Sequence, residues 1–411
     1  MKNKSNITLL STSLFFALIN APQASDTPVQ EYRQADHFLT GWAALSSSTR
    51  TSGPSSGHFI EGLKGVKTPF VDYQVIPGWS ALLNNADGTY LAMPDNGFGA
   101  KSNSSDFVLG YYIIQPNFKT QSDGTTQPGK IKNQKFIPFN DSKGFLNNKK
   151  GIDFKITADY RFYPSINDNK ILESEFPVDS RIKKNRWLTG FDFDVESAAR
   201  ATDGALWVGE EFGPYLLKFD EATGTLLQEP IPHPSLKSPF NQEVMRGKAV
   251  ATLGASKGFE SLATNSDGTR LYVVPEAAPI ATSLQPIPGD ERVLEIYEFN
   301  PKTSSYTGRS FKYQKDGDSI KNQVVIGDMI NLGKDRFVLI ERDSQSGVNA
   351  VIKRLYTIEL SDINTKGILN KKLLLDLLKI NDPLDIGGPL PRVAPQLFNL
   401  PFDSIENVVV L

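Results

Sequence analysis

The chain has 411 residues and a formal charge of −2, with no basic stripe anywhere along it. This balance argues against nucleic acid and against an anionic membrane surface as partners. The sequence contains no cysteine, which excludes disulfides, thiolate catalysis and cysteine-based zinc or iron sites. Glycine and proline separate many short segments, which is typical of an all-β protein with a large core.

The first residues have the order of a secretory signal peptide. A basic start precedes an apolar stretch over 7–19, and the small residues Ala21 and Ala24 follow. The stretch is shorter than the ~20 residues that a transmembrane helix needs. We therefore predict a signal peptide over residues 1–24, cleaved between 21 and 25. The protein would be secreted or periplasmic, with no membrane span after cleavage. A buried N-terminal helix is the alternative interpretation.

From residue 71 onward one pattern recurs: a short apolar run, an Asp-Gly or similar turn, and a second run that ends in an acidic residue. Asp-Gly between two such runs is a strong hairpin signal, because both turn residues must tolerate positive φ. Each predicted hairpin has its turn at one end and its carboxylates at the other. Glu196 would lie opposite Glu211, and Glu260 near Glu276. The four copies span residues 80–96, 196–211, 260–276 and 328–341.

Further apolar strands follow these hairpins, for example over 215–220 and 354–360. A hairpin with additional outer strands is the layout of a propeller blade. We predict an all-β protein with one β-propeller of about six blades, or seven, over residues 65–411. Residues 25–64 would form an N-terminal extension.

The last repeats are widely spaced. Glu196, Glu260, Asp328 and Glu406 follow one another at intervals of 64 to 78 residues. Common propeller repeats are ~40–50 residues long, so we expect loop insertions between strands. The segment 369–380 is either a short helix or a strand. Candidate insertions are 115–144, 275–291 and 364–401.

Asp192, Asp194 and Glu196 alternate with apolar residues, which in a strand would place three carboxylates on one face. Carboxylates held together repel one another unless a cation, an arginine or water separates them. We therefore expect a hard cation with oxygen ligands, namely calcium. A solvated strand edge is the alternative, and we favour it for Asp192 alone. Pairing with arginine is another, with the candidates Arg200, Arg246, Arg292 and Arg342.

Other motifs have ordinary structural interpretations. The Asn96-Gly97 step after Asp95 is more often a turn than a ligand loop. In the segment 341–343, an arginine between two acids is expected to pair with them internally. Ser256 stands in a G-x-S-x-G pattern, yet all three histidines precede it, whereas a serine hydrolase of that type needs a later histidine. We therefore do not expect Ser256 to be a nucleophile.

Several of these segments resemble the phytase-like family, described as having the esterase-like activity of phytase. The resemblance covers roughly Val71 to Leu411 and implies a secreted β-propeller with phosphomonoester or ester hydrolase activity. The family pattern continues past the strand of Glu406, so the last copy here is either truncated or closes the ring differently. The matching motifs are Gly78-Trp-Ser80, Met93-Pro-Asp95-Asn96-Gly97, Phe191-Asp-Phe-Asp194-Val-Glu196, Leu206-Trp-Val-Gly-Glu210-Glu211, Gly258-Phe-Glu260-Ser-Leu, Leu271-Tyr-Val-Val-Pro-Glu276, Val338-Leu-Ile-Glu341-Arg342 and Ser404-Ile-Glu406-Asn-Val.

Together, the acids and the resemblance predict a calcium-assisted hydrolase of small phosphate or carboxylate esters, acting at the acidic end of the propeller. The alternatives are a binding propeller without catalysis, whose acids hold a structural cation or a cationic ligand, and a gluconolactonase-type lactone hydrolase. The predicted catalytic residues are Glu211, as general base, and Glu196. The predicted metal ligands are Asp95, Glu196, Glu260, Glu276 and Glu406.

Overall fold

The computed structural model describes residues 37–60, 66–146, 154–167, 170–279, 292–316, 324–389 and 395–409, with the backbone of one strand over 13–18. Regular structure in these residues is almost all β-sheet, which confirms the all-β prediction. The rest of the predicted signal peptide lies outside the described residues. No helix within them has the length and apolar character needed to cross a bilayer.

The strands that precede the first blade are β1 (Ser13–Leu18), β2 (Leu39–Leu45), β3 (Arg50–Ser52) and β4 (Tyr73–Val75). β1 pairs antiparallel with β2, and β3 with β4. Trp42 in β2 is buried and packs edge-on against Phe398 from the far end of the chain. Residues 39–45, predicted to lie in an extension, are therefore part of the folded core.

The first two blades are separated by a two-stranded ribbon. Blade one consists of β5 (Ala81–Asn84), β6 (Tyr90–Met93), β7 (Gly110–Asn117) and β8 (Gly129–Pro138), and β8 also pairs with β2. The ribbon region contains a 3₁₀ turn (Thr157–Asp159), β9 (Phe162–Asn167), β10 (Lys170–Pro177) and α1 (Ser180–Asn185). Blade two consists of β11 (Val195–Arg200), β12 (Leu206–Glu210), β13 (Tyr215–Asp220), β14 (Thr225–Leu226) and β15 (Ile231–Pro232).

The next two blades follow the short helix α2 (Gln242–Met245). Blade three consists of β16 (Phe259–Thr264), β17 (Leu271–Pro275), β18 (Val293–Asn300) and β19 (Ser305–Gln314). Blade four consists of β20 (Val325–Gly333), β21 (Arg336–Arg342), β22 (Lys353–Ile363) and β23 (Leu369–Asp376), with a 3₁₀ turn at Gly347–Asn349. The pair β24 (Ile380–Asn381) and β25 (Leu397–Phe398) comes last.

The four predicted hairpins are the inner halves of these blades, and their turn chemistry explains why. In each Asp-Gly turn the glycine has positive φ, for example 78° at Gly204. The aspartate also caps its own turn, since Asp203 Oδ1 accepts a hydrogen bond from the backbone of Ala205 at 3.1 Å. In blade four, Lys334 and Asp335 both adopt positive φ, at 51° and 58°. The sequence therefore predicted these hairpins correctly.

The blades are arranged in a ring, with the innermost strands β5, β11, β16 and β20 side by side. Equivalent serines join neighbouring inner strands: Ser197 Oγ donates to Phe259 O at 3.1 Å, and Ser261 Oγ donates to Gly327 O at 3.2 Å. The segment 403–409 lies between β20 and β5, where Val408 N donates to Asp328 Oδ2 at 3.1 Å. The C-terminal segment thus occupies the space between the first and last blades.

The described residues form four blades, and the predicted six are not confirmed. Part of the difference comes from the predicted insertions. The segment 115–144 contains β8, and the segment 364–401 contains β23, so both contribute the outer strand of a blade. β23 also decides the open choice at 369–380 in favour of a strand. Most of the segment 275–291 lies outside the described residues.

Candidate functional site

Two β-bulges place the central glutamates of the site. In blade two, Val195 pairs with Glu210 and Ser197 with Gly209, so Glu196 is an extra residue without a partner on β12. Glu260 in blade three occupies the same position between two paired neighbours. A bulge breaks the alternation of side chains and redirects the extra residue. The predicted pairing of Glu196 opposite Glu211 is wrong. The register of Ser197 with Gly209 would already set Glu196 opposite Glu210, and the bulge then leaves Glu196 without a partner.

The carboxylates of blades two and three meet at one end of the ring. One oxygen each from Asp194, Glu196 and Glu211 lies within 4.8 Å of the other two, and the same holds for Glu211, Glu260 and Glu276. Glu211 belongs to both groups. Asp194, Glu211, Glu260 and Glu276 are each at most 6% exposed. We call the five residues of these two groups the acid ring: Asp194, Glu196, Glu211, Glu260 and Glu276.

A glycine makes this convergence possible. A Cβ atom on Gly258 would lie 2.4 Å from the Cα of Glu211 and 2.7 Å from its carbonyl oxygen. No other residue therefore fits at this point without moving the backbone. The close approach brings the start of β16, with Glu260, against the loop that carries Glu211. Gly258 thus holds the two groups of three carboxylates together.

Asp95 and Glu406 lie beside the acid ring. Asp95 follows the second strand of blade one, and Glu406 belongs to the C-terminal segment. Asp95 Oδ1 accepts a hydrogen bond from Gly97 N at 2.7 Å, so its turn forms as expected. Glu406 Oε2 accepts from Ser80 Oγ at 3.3 Å. Burial raises the pKa of both carboxyls, and Asp95 adds to the rise at Glu406. Both acids are therefore within the electrostatic reach of the acid ring.

Among the described residues, two basic side chains form ion pairs with these acids. Arg342 Nη2 lies 3.4 Å from Glu260 Oε1, 3.6 Å from Glu276 Oε1 and 3.7 Å from Glu406 Oε1. Lys257 forms an ion pair with Glu276. The internal pairing predicted within 341–343 is wrong, because successive strand residues point to opposite sides of β21. No pattern in the sequence indicated Lys257, because its contact with Glu276 depends on the fold.

Four of the acids at this end of the ring form no ion pair with any residue that the structure describes: Asp95, Asp194, Glu196 and Glu211. Asp194 Oδ1 and Glu211 Oε1 are buried and accept no hydrogen bond from any described residue. Buried carboxylate oxygens without partners are rare, because desolvation is uncompensated. Both residues belong to the groups whose carboxylate oxygens lie within 4.8 Å of one another.

Burial and the crowding of the carboxylates raise the pKa values of several of these acids. Burial, reinforced by the charge of Asp95, raises the pKa of Asp194 to about 7. Burial also raises the pKa of Glu196, with Asp194 as the next cause. The pKa values of Glu211 and Glu260 rise through burial and through repulsion from Glu276. Ionising all of these groups together is unfavourable without a compensating cation.

Other acids singled out by the sequence have structural roles. β11 begins only at Val195, so Asp192 lies in the preceding turn, and the predicted strand face with three carboxylates does not form. Asp192 instead accepts from Thr157 N at 2.7 Å and from Thr189 N at 2.8 Å. Asp343 pairs with Lys353 at 3.0 Å. Glu210 and Glu341 are likewise bonded to their own surroundings, outside the acid ring.

Ser256 lies beside the acid ring, although not in the setting of a serine hydrolase. It sits in a turn before β16 with φ of 48°, and its Oγ donates to Asp194 Oδ2 at 3.4 Å. His58 contacts Asp106, and His233 packs against Tyr297. Ser256 thus contributes a hydroxyl to the rim of the site, next to an acid.

The family comparison agrees with this architecture. Residues 74–411 match the phytase-like family, described as "Esterase-like activity of phytase". The chain belongs to this family. The five residues of the acid ring, together with Asp95 and Glu406, all lie within the matched residues.

Individual relatives of this phytase-like chain are distant. An "Uncharacterized secreted protein" of Arthroderma benhamiae is 25% identical over 218 residues, which are 47% of this chain and 41% of that protein. The match thus spans about two fifths of the relative's length.

Solved structures with some likeness include Saccharomyces cerevisiae Sqt1, at 10% identity and a TM-score of 0.31, covering 82% of this chain and 71% of that one. The Cps50 (Swd1) β-propeller domain of Myceliophteria thermophila matches at 9% identity with a TM-score of 0.31, covering 82% and 70% of the two chains. At these TM-scores the likenesses carry no argument about function.

Proposed function

We propose that this chain is a hydrolase of phosphate or carboxylate esters that acts with calcium bound at the acid ring. The observation that carries the proposal is the pair of buried oxygens without partners, Asp194 Oδ1 and Glu211 Oε1, within two groups of converging carboxylates. The family's description as esterase-like supports the reaction class.

The donor set fits calcium. All of its members are carboxylate oxygens, which hard cations prefer. Calcium binds oxygen at about 2.3–2.6 Å, so two of its ligands are at most about 4.6–5.2 Å apart. The oxygens of Asp194, Glu196 and Glu211 meet this limit, as they lie within 4.8 Å of one another. Asp95 would complete this half, while Glu260, Glu276 and Glu406 would contribute from the other. A bound cation would polarise the ester oxygen and acidify a water molecule.

The chain's own residues would then manage the proton. Glu211 stands at the junction of the two carboxylate groups, with one oxygen free to accept a hydrogen bond. Burial and its acidic neighbours raise its pKa, which makes it a stronger base than an exposed glutamate. We assign Glu211 to take the proton from the attacking water. Glu196, on its bulge, would hold that water in place from the opposite side of the junction.

Hydrolysis of 4-nitrophenyl phosphate, 4-nitrophenyl acetate and gluconolactone, with calcium or with a chelator, tests the proposal. We expect calcium-dependent turnover of at least one ester, and a loss of roughly 100-fold or more in kcat for Glu211→Gln. Glu298→Gln is the matched control, since Glu298 is a buried glutamate that pairs with Arg309 at 3.2 Å, away from the acid ring. It should retain wild-type rates.

The opposite outcomes separate the alternatives. No ester turnover by the full-length protein in calcium would overturn the ester hydrolase. Chelator-sensitive thermal stability without hydrolysis would then indicate a binding propeller with a structural cation. Turnover of gluconolactone alone would indicate a lactone hydrolase.

A further inference from the structure

We infer that Lys257 recognises the anionic group of the substrate, so that the site favours phosphate monoesters over uncharged carboxylate esters. This inference rests on the proposed ester hydrolase and on its calcium. It assigns a specificity-determining residue that the acid ring alone does not reveal.

The two basic residues of the cluster differ in what holds them. Arg342 is 8% exposed, and its Nη2 stands among three carboxylates, so it is fixed as their counterion. Among the described residues Lys257 has one ion-pair partner, Glu276, and its side chain is 36% exposed. A lysine ammonium on a flexible stem can change partners more easily than a guanidinium held by several acceptors. Lys257 is therefore the basic group that a ligand could reach.

Other lysines near the ring are occupied by the protein itself. Lys101 donates to the carbonyl of Phe191 and lies against the rings of Phe191 and Phe212. Lys315 is 3% exposed and donates to Val324 O at 2.6 Å. Neither side chain is open to solvent, whereas the side chain of Lys257 is 36% exposed.

The two chain neighbours of Lys257 both contact residues of the acid ring. Lys257 lies between Ser256, whose Oγ contacts Asp194, and Gly258, which packs against Glu211. Its ammonium forms an ion pair with Glu276, at the same end of blade three. Its charge therefore stands next to the glutamate that we assign as general base.

Charge balance predicts that calcium and the anion bind together. Without a cation, the carboxylates of the acid ring outnumber the basic groups and would repel a phosphate group. A divalent cation bound by Glu276 would compete with Lys257 for that carboxylate. The released ammonium could then pair with the anionic group of the substrate. Calcium thus removes the repulsion and frees Lys257 at the same time.

Calorimetry with inorganic phosphate as the probe tests the inference on the full-length protein. We expect phosphate to bind in calcium and not in chelator, and Lys257→Met to weaken this binding at least tenfold, about the value of one charge-assisted hydrogen bond. Lys257→Arg should restore most of the affinity. Lys302→Met, in the turn at the other end of blade three, is the control and should bind like the wild type.

Equal phosphate affinity for wild type and Lys257→Met would overturn the inference, as would phosphate binding that ignores calcium or no binding at all. The probe is not hydrolysed, so this result does not depend on whether the protein is an enzyme. Kinetics add a second readout. Lys257→Met should lower the ratio of kcat/KM for 4-nitrophenyl phosphate to that for 4-nitrophenyl acetate at least tenfold, mainly through KM. An equal loss for both esters would contradict the assignment.

Discussion

Arg342 Nη2 lies 3.4 Å from Glu260 Oε1, although the two residues belong to different blades. Arg342 ends the second strand of blade four, and Glu260 is the bulge residue of the first strand of blade three. The same nitrogen is 3.7 Å from Oε1 of Glu406, in the segment between the last blade and the first. One guanidinium therefore connects two blades and the C-terminal segment at the end of the ring where the acids meet.

Arg342→Met should destabilise the calcium-free protein strongly. It removes the counterion of buried glutamates, and breaking a buried ion pair from one side costs about 3–5 kcal/mol. Arg309→Gln is the matched control, because Arg309 is 66% exposed and its pair with Glu298 should contribute about 1 kcal/mol or less. Urea unfolding in chelator measures both. Similar losses for the two variants would contradict the role of Arg342.

The two aspartates of one motif should respond in opposite ways. Asp192→Asn should lower stability and leave calcium affinity unchanged, because Asp192 accepts two backbone hydrogen bonds in a turn. Asp194→Asn should weaken calcium binding at least tenfold and stabilise the calcium-free protein, since it removes a repelled charge. Calcium titration by calorimetry and thermal unfolding in chelator distinguish them. Reduced calcium affinity in Asp192→Asn would refute this division.

Without calcium, stability should fall as the pH rises from about 4 to about 8. Burial raises the pKa of Asp194 and of Asp328 to about 7, above the ~3.9 of an unfolded aspartate. Between these values the folded state binds more protons than the unfolded state, so the free energy of unfolding decreases with pH.

The melting temperature in chelator, followed across this range, checks the sign. We expect a fall on the order of 5 °C, a smaller fall in Asp194→Asn, and a smaller fall in saturating calcium, which favours the ionised form of Asp194. A melting temperature that rises with pH in chelator would show that these carboxyls are ionised at little cost.

Gly258→Ala should impair the site through the backbone. The added Cβ would lie 2.4 Å from the Cα of Glu211, and forcing the two segments apart should cost about 1–3 kcal/mol. It should also weaken calcium binding, because Glu211 links the two carboxylate groups. Gly78→Ala is the control, since its Cβ would meet no atom within 4 Å and should change stability by about 0.5 kcal/mol or less. Wild-type calcium affinity in Gly258→Ala would argue against this contact.

Much of the site could be placed from the sequence because its signals are local. Each hairpin follows from an Asp-Gly turn, and a hairpin necessarily brings its two ends together. The ends carry Glu196, Glu211, Glu260 and Glu276, and the structure does bring these four side chains together. The predicted six blades are not confirmed, and two long polar segments that resembled insertions contain the outer strands β8 and β23.

By itself, therefore, the sequence determined an all-β chain of acid-ended hairpins, since turn residues and alternation act over a few neighbours. Only the tertiary structure decided which charges meet. Glu196 and Glu260 leave the strand alternation at bulges, Asp194 enters the cluster while Asp192 does not, and Arg342 and Lys257 reach glutamates of other strands. These pairings depend on how neighbouring blades pack around the ring, and the residue pattern within one hairpin does not encode the packing between blades.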